Sequence, residues 1–316
     1  MRALVWDGSR LGLEQRPELE AGPGEVVVRP TLAGVCNTDL EIVRGYLGFR
    51  GVLGHEMVGR VEIGPAEWVG ERVVAEINFA CGLCPSCQAG LERHCPSRRV
   101  LGIAGADGAF AEQVVVPVGC LHRVPEGVPD EAAVFTEPLA AAFEILEQVP
   151  VGPGTEALVL GDGKLGLLAA QVLRAAGART RLVGKHLRNL ELGHERGVET
   201  TLLDRWDRGP ADVVVEATGK AEGIALALAA TRPRGTVVLK STVADRISLD
   251  LAPVVIHELT LVGSRCGPFE PALAALASGS VEVRSLVSAR LPLERGIEAF
   301  DLAARPGTLK VLLEIA

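Results

Sequence analysis

The chain has 316 residues, of which 48% are hydrophobic and 23% charged, enough apolar material for about two buried cores. Its formal net charge of −8 argues against nucleic acid as the main partner, because a phosphate backbone demands a basic surface. No run of about eighteen apolar residues occurs in it, so no membrane-spanning helix is expected.

The first residues, MRALVWDGSRLGLEQRP, carry neither an apolar signal core nor a small-residue cleavage site, and a cytoplasmic location is expected. Short β-rich pieces broken by Gly and Pro follow: GEVVVRPTLAGV, MVGRVEIG, ERVVAEI and AEQVVVP. They predict an irregular, barrel-like β region up to residue 137. From residue 138 the pattern changes. Strands are expected at 156–161, 179–184, 211–217 and 235–241, with helices at 164–176, 187–197 and 221–230. Such alternation makes a parallel sheet covered by helices on both faces. Beyond residue 264 a helix at 270–277 and a tail ending TLKVLLEIA are expected to return to the first domain. The fold class is therefore α/β, with residues 1–137 and 264–316 in one domain and 138–263 in a nucleotide-binding domain.

The stretch CGLCPSCQAGLERHC places Cys81, Cys84, Cys87 and Cys95 in the pattern C-x2-C-x2-C-x7-C. Disulfides are uncommon in a reducing cytosol, and seven cysteines is an odd number. Four thiolates at these offsets can surround one tetrahedral Zn²⁺, with Gly82, Pro85 and Gly90 supplying the turns, and a site of four cysteines is closed and structural. Iron–sulfur ligation uses similar spacings and is the alternative. The lobe is expected to span about residues 80–96. A second group has open-site chemistry: Cys36 in GVCNTDLE, His55 and Glu56 in GVLGHEMVG, and Glu137 in FTEPLA. Three protein ligands plus an open position is the catalytic arrangement of zinc. On spacing alone these residues fit equally well a buried cysteine, a core histidine and a surface glutamate.

The stretch LVLGDGKLGLL follows a predicted strand and opens a predicted helix. Gly161, Gly163 and Gly166, with Lys164 and Leu165 between them, match the dinucleotide loop G-x-G-x-x-G. The glycines allow a tight turn, close approach of a pyrophosphate and helix–strand packing, and the helix N-terminus faces the phosphates. An NAD site places an acid at the end of the second strand. Here Gly184 stands at that point, followed by Lys185, His186 and Arg188, cations that suit a 2′-phosphate, so NADP(H) is expected ahead of NAD. Thr218, and Lys240 to Thr242, end later strands on the ligand side and are further candidate cofactor contacts. Tyr46 and Phe49, in a loop near the predicted ligands, are candidates for a substrate wall or for simple packing.

Together the GVCNTD and GHE motifs, the four-cysteine lobe, the GDGKLG loop, the VVVEATG strand and the LKVLLEI end resemble the zinc-containing medium-chain alcohol dehydrogenases. The EPLA stretch is most similar to the branch with polyol, threonine and glucose dehydrogenases. The resemblance covers essentially the whole chain. It implies a GroES-like catalytic domain, a Rossmann domain, two zinc ions per chain and a small alcohol or carbonyl substrate. It further implies a homodimer or homotetramer. It makes Cys36 and His55 catalytic zinc ligands, puts Glu56 beside or on the metal, and gives Glu137 the third ligand position. It assigns Thr38 the substrate proton, Asp39 the support of the histidine, and Lys310 a contact with the cofactor pyrophosphate. Two segments are short for the family, between Cys36 and His55 and between Cys95 and Glu137, and Glu41 stands where relatives often end their proton relay with histidine. A nucleotide-binding zinc protein that has lost catalysis, a redox sensor or scaffold, is the other reading.

Overall fold

The computed structural model describes residues 1–241 and 248–315; Thr242 lies outside them. The chain divides into two compact units, Met1–Glu137 with Val287–Ala316, and Pro138–Leu286.

The first unit is built on strands. They are β1 (Arg2–Trp6), β2 (Leu11–Gln15), β3 (Glu25–Val35), β4 (Gly51–Val52), β5 (Glu56–Ile63), β6 (Arg72–Ala75), β7 (Asn78–Phe79), β8 (Arg99–Leu101), β9 (Gly105–Ala106), β10 (Val114–Pro117) and β11 (Leu121–Arg123). Between them lie the short helices α1 (Asn37–Ile42), α2 (Pro85–Gln88) and α3 (Asp130–Ala133). α4 (Thr136–Gln148) begins at the end of this unit. The main sheet runs β11-β6-β5-β3-β19-β18, and β10 also pairs with β3. Its last two members, β18 (Val287–Pro292) and β19 (Lys310–Glu314), come from the end of the chain, on either side of α10 (Gly296–Ala303). β3 is long because EVVVRPTLAGV is rich in β-branched residues. Pro30 cannot donate a ladder hydrogen bond, and the β3–β5 register shifts between Pro30 and Leu32.

The second unit contains β12 (Glu156–Leu160), β13 (Arg179–Gly184), β14 (Glu199–Leu202), β15 (Ala211–Glu216), β16 (Thr231–Leu239) and β17 (Thr260–Gly263). Its helices include α5 (Lys164–Ala175), α6 (Leu187–Glu195), α7 (Ala221–Ala230), α8 (Ala252–Ile256) and α9 (Phe269–Ser278). The sheet is parallel throughout, in the order β14-β13-β12-β15-β16-β17. The order reverses at β12, the doubly wound arrangement in which a ligand binds beyond the carboxyl ends of the strands. Buried Leu158, Leu160, Val183, Val214 and Val237 pack with Trp206 and Leu228 in its core.

The return to the first unit falls at Val287, not at residue 264. Residues 264–286 stay with the second unit because they are tied to it. Gln171 on α5 donates to Glu282 O (3.0 Å) and accepts from Glu282 N (2.9 Å).

Candidate functional site

In the cysteine lobe α2 begins at Pro85 and a 3-10 turn spans Glu92–His94. These turns bring four sulfurs together. Cys84 and Cys87 lie 3.4 Å apart, Cys81 and Cys95 3.6 Å, Cys84 and Cys95 3.8 Å, and Cys81 and Cys87 3.9 Å. A tetrahedron of zinc–sulfur bonds of about 2.3 Å requires sulfurs about 3.8 Å apart. The spacing fits one ion; a cluster of several irons would hold its cysteines farther apart. Backbone N–H groups of Leu83 and Cys84 draw the Cys81 thiol down to about 6, whereas burial pushes Cys87 up to about 12. Cys81 is therefore a thiolate at neutral pH, and Cys87 must give up its proton to a metal. Zinc uptake by the metal-free lobe at pH 7.5 is expected to release fewer protons than there are cysteines. Calorimetry in buffers of different ionisation enthalpy measures that number, and release of one proton from every thiol would refute this account.

A second cluster is formed by Cys36, His55 and Glu56, whose ligand atoms lie within 4.8 Å of one another. Cys36 precedes α1, where its backbone N–H donates to Asp39 Oδ2 (2.8 Å). Asp39 is fully buried and its other oxygen accepts from Gly54 N (3.2 Å) and lies 3.3 Å from His55 Nδ1. One carboxylate thus fixes the loops carrying both ligands, Cys36 and His55. Burial alone would lower the His55 pKa, but the charges of Asp39 and Cys36 outweigh it and hold the imidazole well above the usual histidine value. A site that favours a proton so strongly is a concentration of negative charge suited to a cation. Among the described residues, Glu56 Oε1 is buried without a hydrogen-bond partner. A metal ion satisfies such a donor set of thiolate, imidazole and carboxylate.

Glu56 Oε2 pairs with Lys310 Nζ, and both side chains are almost fully buried. The Lys310 ammonium also lies 5.5 Å from the Phe135 ring centre. Gly34 gives this pair room, because a Cβ there would lie 2.5 Å from Glu56 Oε2. Lys310, expected at the cofactor pyrophosphate, pairs with Glu56 inside the first unit. Glu137, the expected third ligand, lies half-buried on the first turn of α4 at the end of the first unit. Thr38 Oγ1 lies 3.8 Å from Cys36 Sγ. Phe49 helps line an open groove of about 550 Å³ with Leu47, Ile103 and Asp107, whereas Tyr46 is not among its lining residues.

The glycine loop joins β12 to α5. Gly161 has φ +114°, which other residues rarely adopt, and a Cβ there would meet Ala217 O. A Cβ on Gly166 would overlap Gly161 O, whereas one on Gly163 would meet nothing within 4 Å. Gly163 is thus the open point of approach, and Lys164 and Leu165 begin α5 beside it. The Gly166→Ala change is expected to destabilise the second unit by about 1–3 kcal/mol and to weaken dinucleotide binding. A thermal melt and a fluorescence titration check it, and an unchanged protein would show that the helix start has slack.

At the β13–α6 junction, Gly184 is buried and Lys185, His186 and Arg188 are exposed. A carboxylate nevertheless reaches this junction from another segment. Asp162, from the glycine loop, accepts from Lys185 N (2.9 Å) and His186 N (2.6 Å), and its two oxygens each lie 3.1 Å from His186 Nδ1. Its only sequence signal is the acid inside GDGKLG. Thr218 is turned inward, donating to the buried Glu216 from N (2.8 Å) and Oγ1 (2.6 Å). Lys240 is likewise buried, donating to Ala141 O (2.6 Å), Ser264 Oγ (3.0 Å) and Arg265 O (3.0 Å), so it braces the second unit instead of presenting a cation at the surface.

Two unlike donor clusters and a doubly wound dinucleotide sheet define a zinc-type oxidoreductase fold. Residues 22–126 match the alcohol dehydrogenase GroES-like domain and residues 165–278 the zinc-binding dehydrogenase domain. The chain belongs to the zinc-dependent medium-chain alcohol dehydrogenase family. It is 32% identical to L-threonine 3-dehydrogenase of Streptomyces avermitilis over 99% of both chains, and 29% identical to sorbitol dehydrogenase of Halalkalibacterium halodurans, again over 99% of each. A protein of Sinorhizobium meliloti described as a zinc-binding dehydrogenase, with NADP bound, superposes with a TM-score of 0.92 at 27% identity over 99% of both chains. No helix among the described residues is long and apolar enough to cross a membrane.

Proposed function

We propose that this chain is a dehydrogenase that moves a hydride between a nicotinamide dinucleotide and an alcohol or polyol, or the corresponding carbonyl. The buried cluster of Cys36, His55 and Glu56 carries this reading. The polyol and threonine dehydrogenases among the relatives support the substrate class. A zinc ion held by Cys36 and His55, with Glu137 in the third ligand position and Glu56 beside or on the metal, would supply Lewis acidity toward the substrate oxygen. Asp39 orients His55 and keeps the two ligand loops in register. Thr38, whose hydroxyl lies beside Cys36, takes the proton of the alcohol. Lys310 restrains Glu56 and balances one of the negative charges at the site. The four cysteines of the lobe would hold a second, structural zinc. Gly161, Gly163, Lys164, Leu165 and Gly166 form the pyrophosphate cradle. At the adenosine end, Lys185, His186 and Arg188 favour NADP(H), and the Asp162 carboxylate among them favours NAD(H). Cytoplasmic location and a homo-oligomeric state belong to the same reading.

The test is to titrate the purified protein with NADH and NADPH by fluorescence while measuring zinc, and then to screen alcohols, polyols and aldehydes. Dinucleotide binding, two zinc ions per chain and turnover of one substrate class are expected. One zinc ion and no dinucleotide binding would replace this reading with a scaffold that lacks catalysis.

A further inference from the structure

We propose that Asp162, a residue of the glycine loop, reads the adenosine ribose in place of the missing strand-end acid and selects the unphosphorylated dinucleotide NAD(H). The inference rests on the dehydrogenase reading above. In an NAD site the last residue of the second strand sends a carboxylate to the ribose 2′-hydroxyl. That position is Gly184, which has no side chain to send. Its space is filled from the opposite direction: a Cβ on Gly184 would lie 2.5 Å from Asp162 Oδ2 and would overlap the rest of that side chain. The loop therefore delivers a carboxylate to the place where the strand-end acid would stand.

Further observations bear on its role. A 2′-phosphate at this junction needs hydrogen-bond donors, and the backbone N–H groups of Lys185 and His186 are both spent on Asp162 Oδ2. The loop residue is also anchored from behind, because Asn189 Nδ2 donates to Asp162 O (2.9 Å). The Asp162 side chain is only 8% exposed, so its position is set by packing. Oδ1, which among the described residues has only the His186 ring nitrogen beside it, keeps a lone pair for a ribose hydroxyl. Lys185 and Arg188 remain as exposed cations on flexible stems, and such groups contribute little against a fixed carboxylate at the same point. The NADP seen in the Sinorhizobium meliloti protein does not decide the matter, since preference turns on the few residues at this junction.

The experiment is a pair of fluorescence titrations, NADH and NADPH, on the zinc-loaded wild-type protein, Asp162→Ser and Asp162→Asn. Wild type is expected to bind NADH about tenfold or more tightly than NADPH. Asp162→Ser removes the charge and frees two N–H groups beside Lys185 and Arg188, so its preference should flatten or reverse. Asp162→Asn keeps the size and most of the hydrogen bonds; it should shrink the preference while preserving the melting temperature, and it carries the test if the serine variant fails to fold. Wild-type preference for NADPH, or equal binding, overturns the proposal, as does an unchanged NADH preference in Asp162→Asn. Binding of neither dinucleotide by wild type overturns the dehydrogenase reading itself.

Discussion

Replacing Cys36 with serine is expected to lower the zinc content from two ions per chain to one and to reduce kcat/KM by roughly a thousandfold or more, about 4 kcal/mol of transition-state stabilisation. The residue is placed for this by both its neighbours and its backbone. Its N–H is held by Asp39, which also touches the His55 ring, so thiolate and imidazole are set by a common carboxylate. A serine oxygen keeps the loop but is a poor partner for zinc beside one histidine and one carboxylate. The lobe cysteines share no residue with this cluster, so their zinc should stay. Metal analysis and steady-state kinetics on the same preparation decide the matter. Full activity with one zinc lost would mean that the catalytic metal sits elsewhere, and full zinc with activity lost would leave Cys36 a role other than ligation.

Lys310→Met is the second large effect. Removing one partner of a buried ion pair typically costs about 3–5 kcal/mol, because the other charge is left without water or a counter-ion. Glu56 is fully buried and Lys310 nearly so. The single variant should lose stability on this scale, seen as a lower urea midpoint followed by the fluorescence of Trp6 and Trp68. The double variant Glu56→Gln/Lys310→Met removes both charges and should recover much of the loss. A double variant as unstable as the single one would mean that the cost comes from lost packing on Phe135 and not from the orphaned carboxylate.

Much of the second unit was legible because its signals are local. A strand, a glycine loop and a helix follow one another within a few residues, and the observed β12 and α5 fall where the pattern places them. The short edge strand β14, with half-buried Thr200, Thr201 and Leu202, has no run of apolar residues to announce it. The metal ligands could be named from their motifs, but their company could not. Lys310 lies 254 positions from Glu56, and no periodicity links them. Asp162 has no such signal in the sequence, because the acid of an NAD site belongs to the end of the second strand, here β13. A missing side chain at Gly184 leaves a space that only the three-dimensional arrangement shows to be filled from another loop.

The pairing of β19 with β3 also bears on biosynthesis. The strand that neutralises Glu56 is made only after the whole second unit has been synthesised. While the chain is still on the ribosome, Cys36, His55 and Glu56 exist without Lys310, and the central sheet lacks a member. The second unit, whose contacts lie within residues 138–286, can fold first. Cys36, His55 and Glu56 thus gain their Lys310 partner only after β19 emerges, whereas the four cysteines of the lobe have all been made by residue 95.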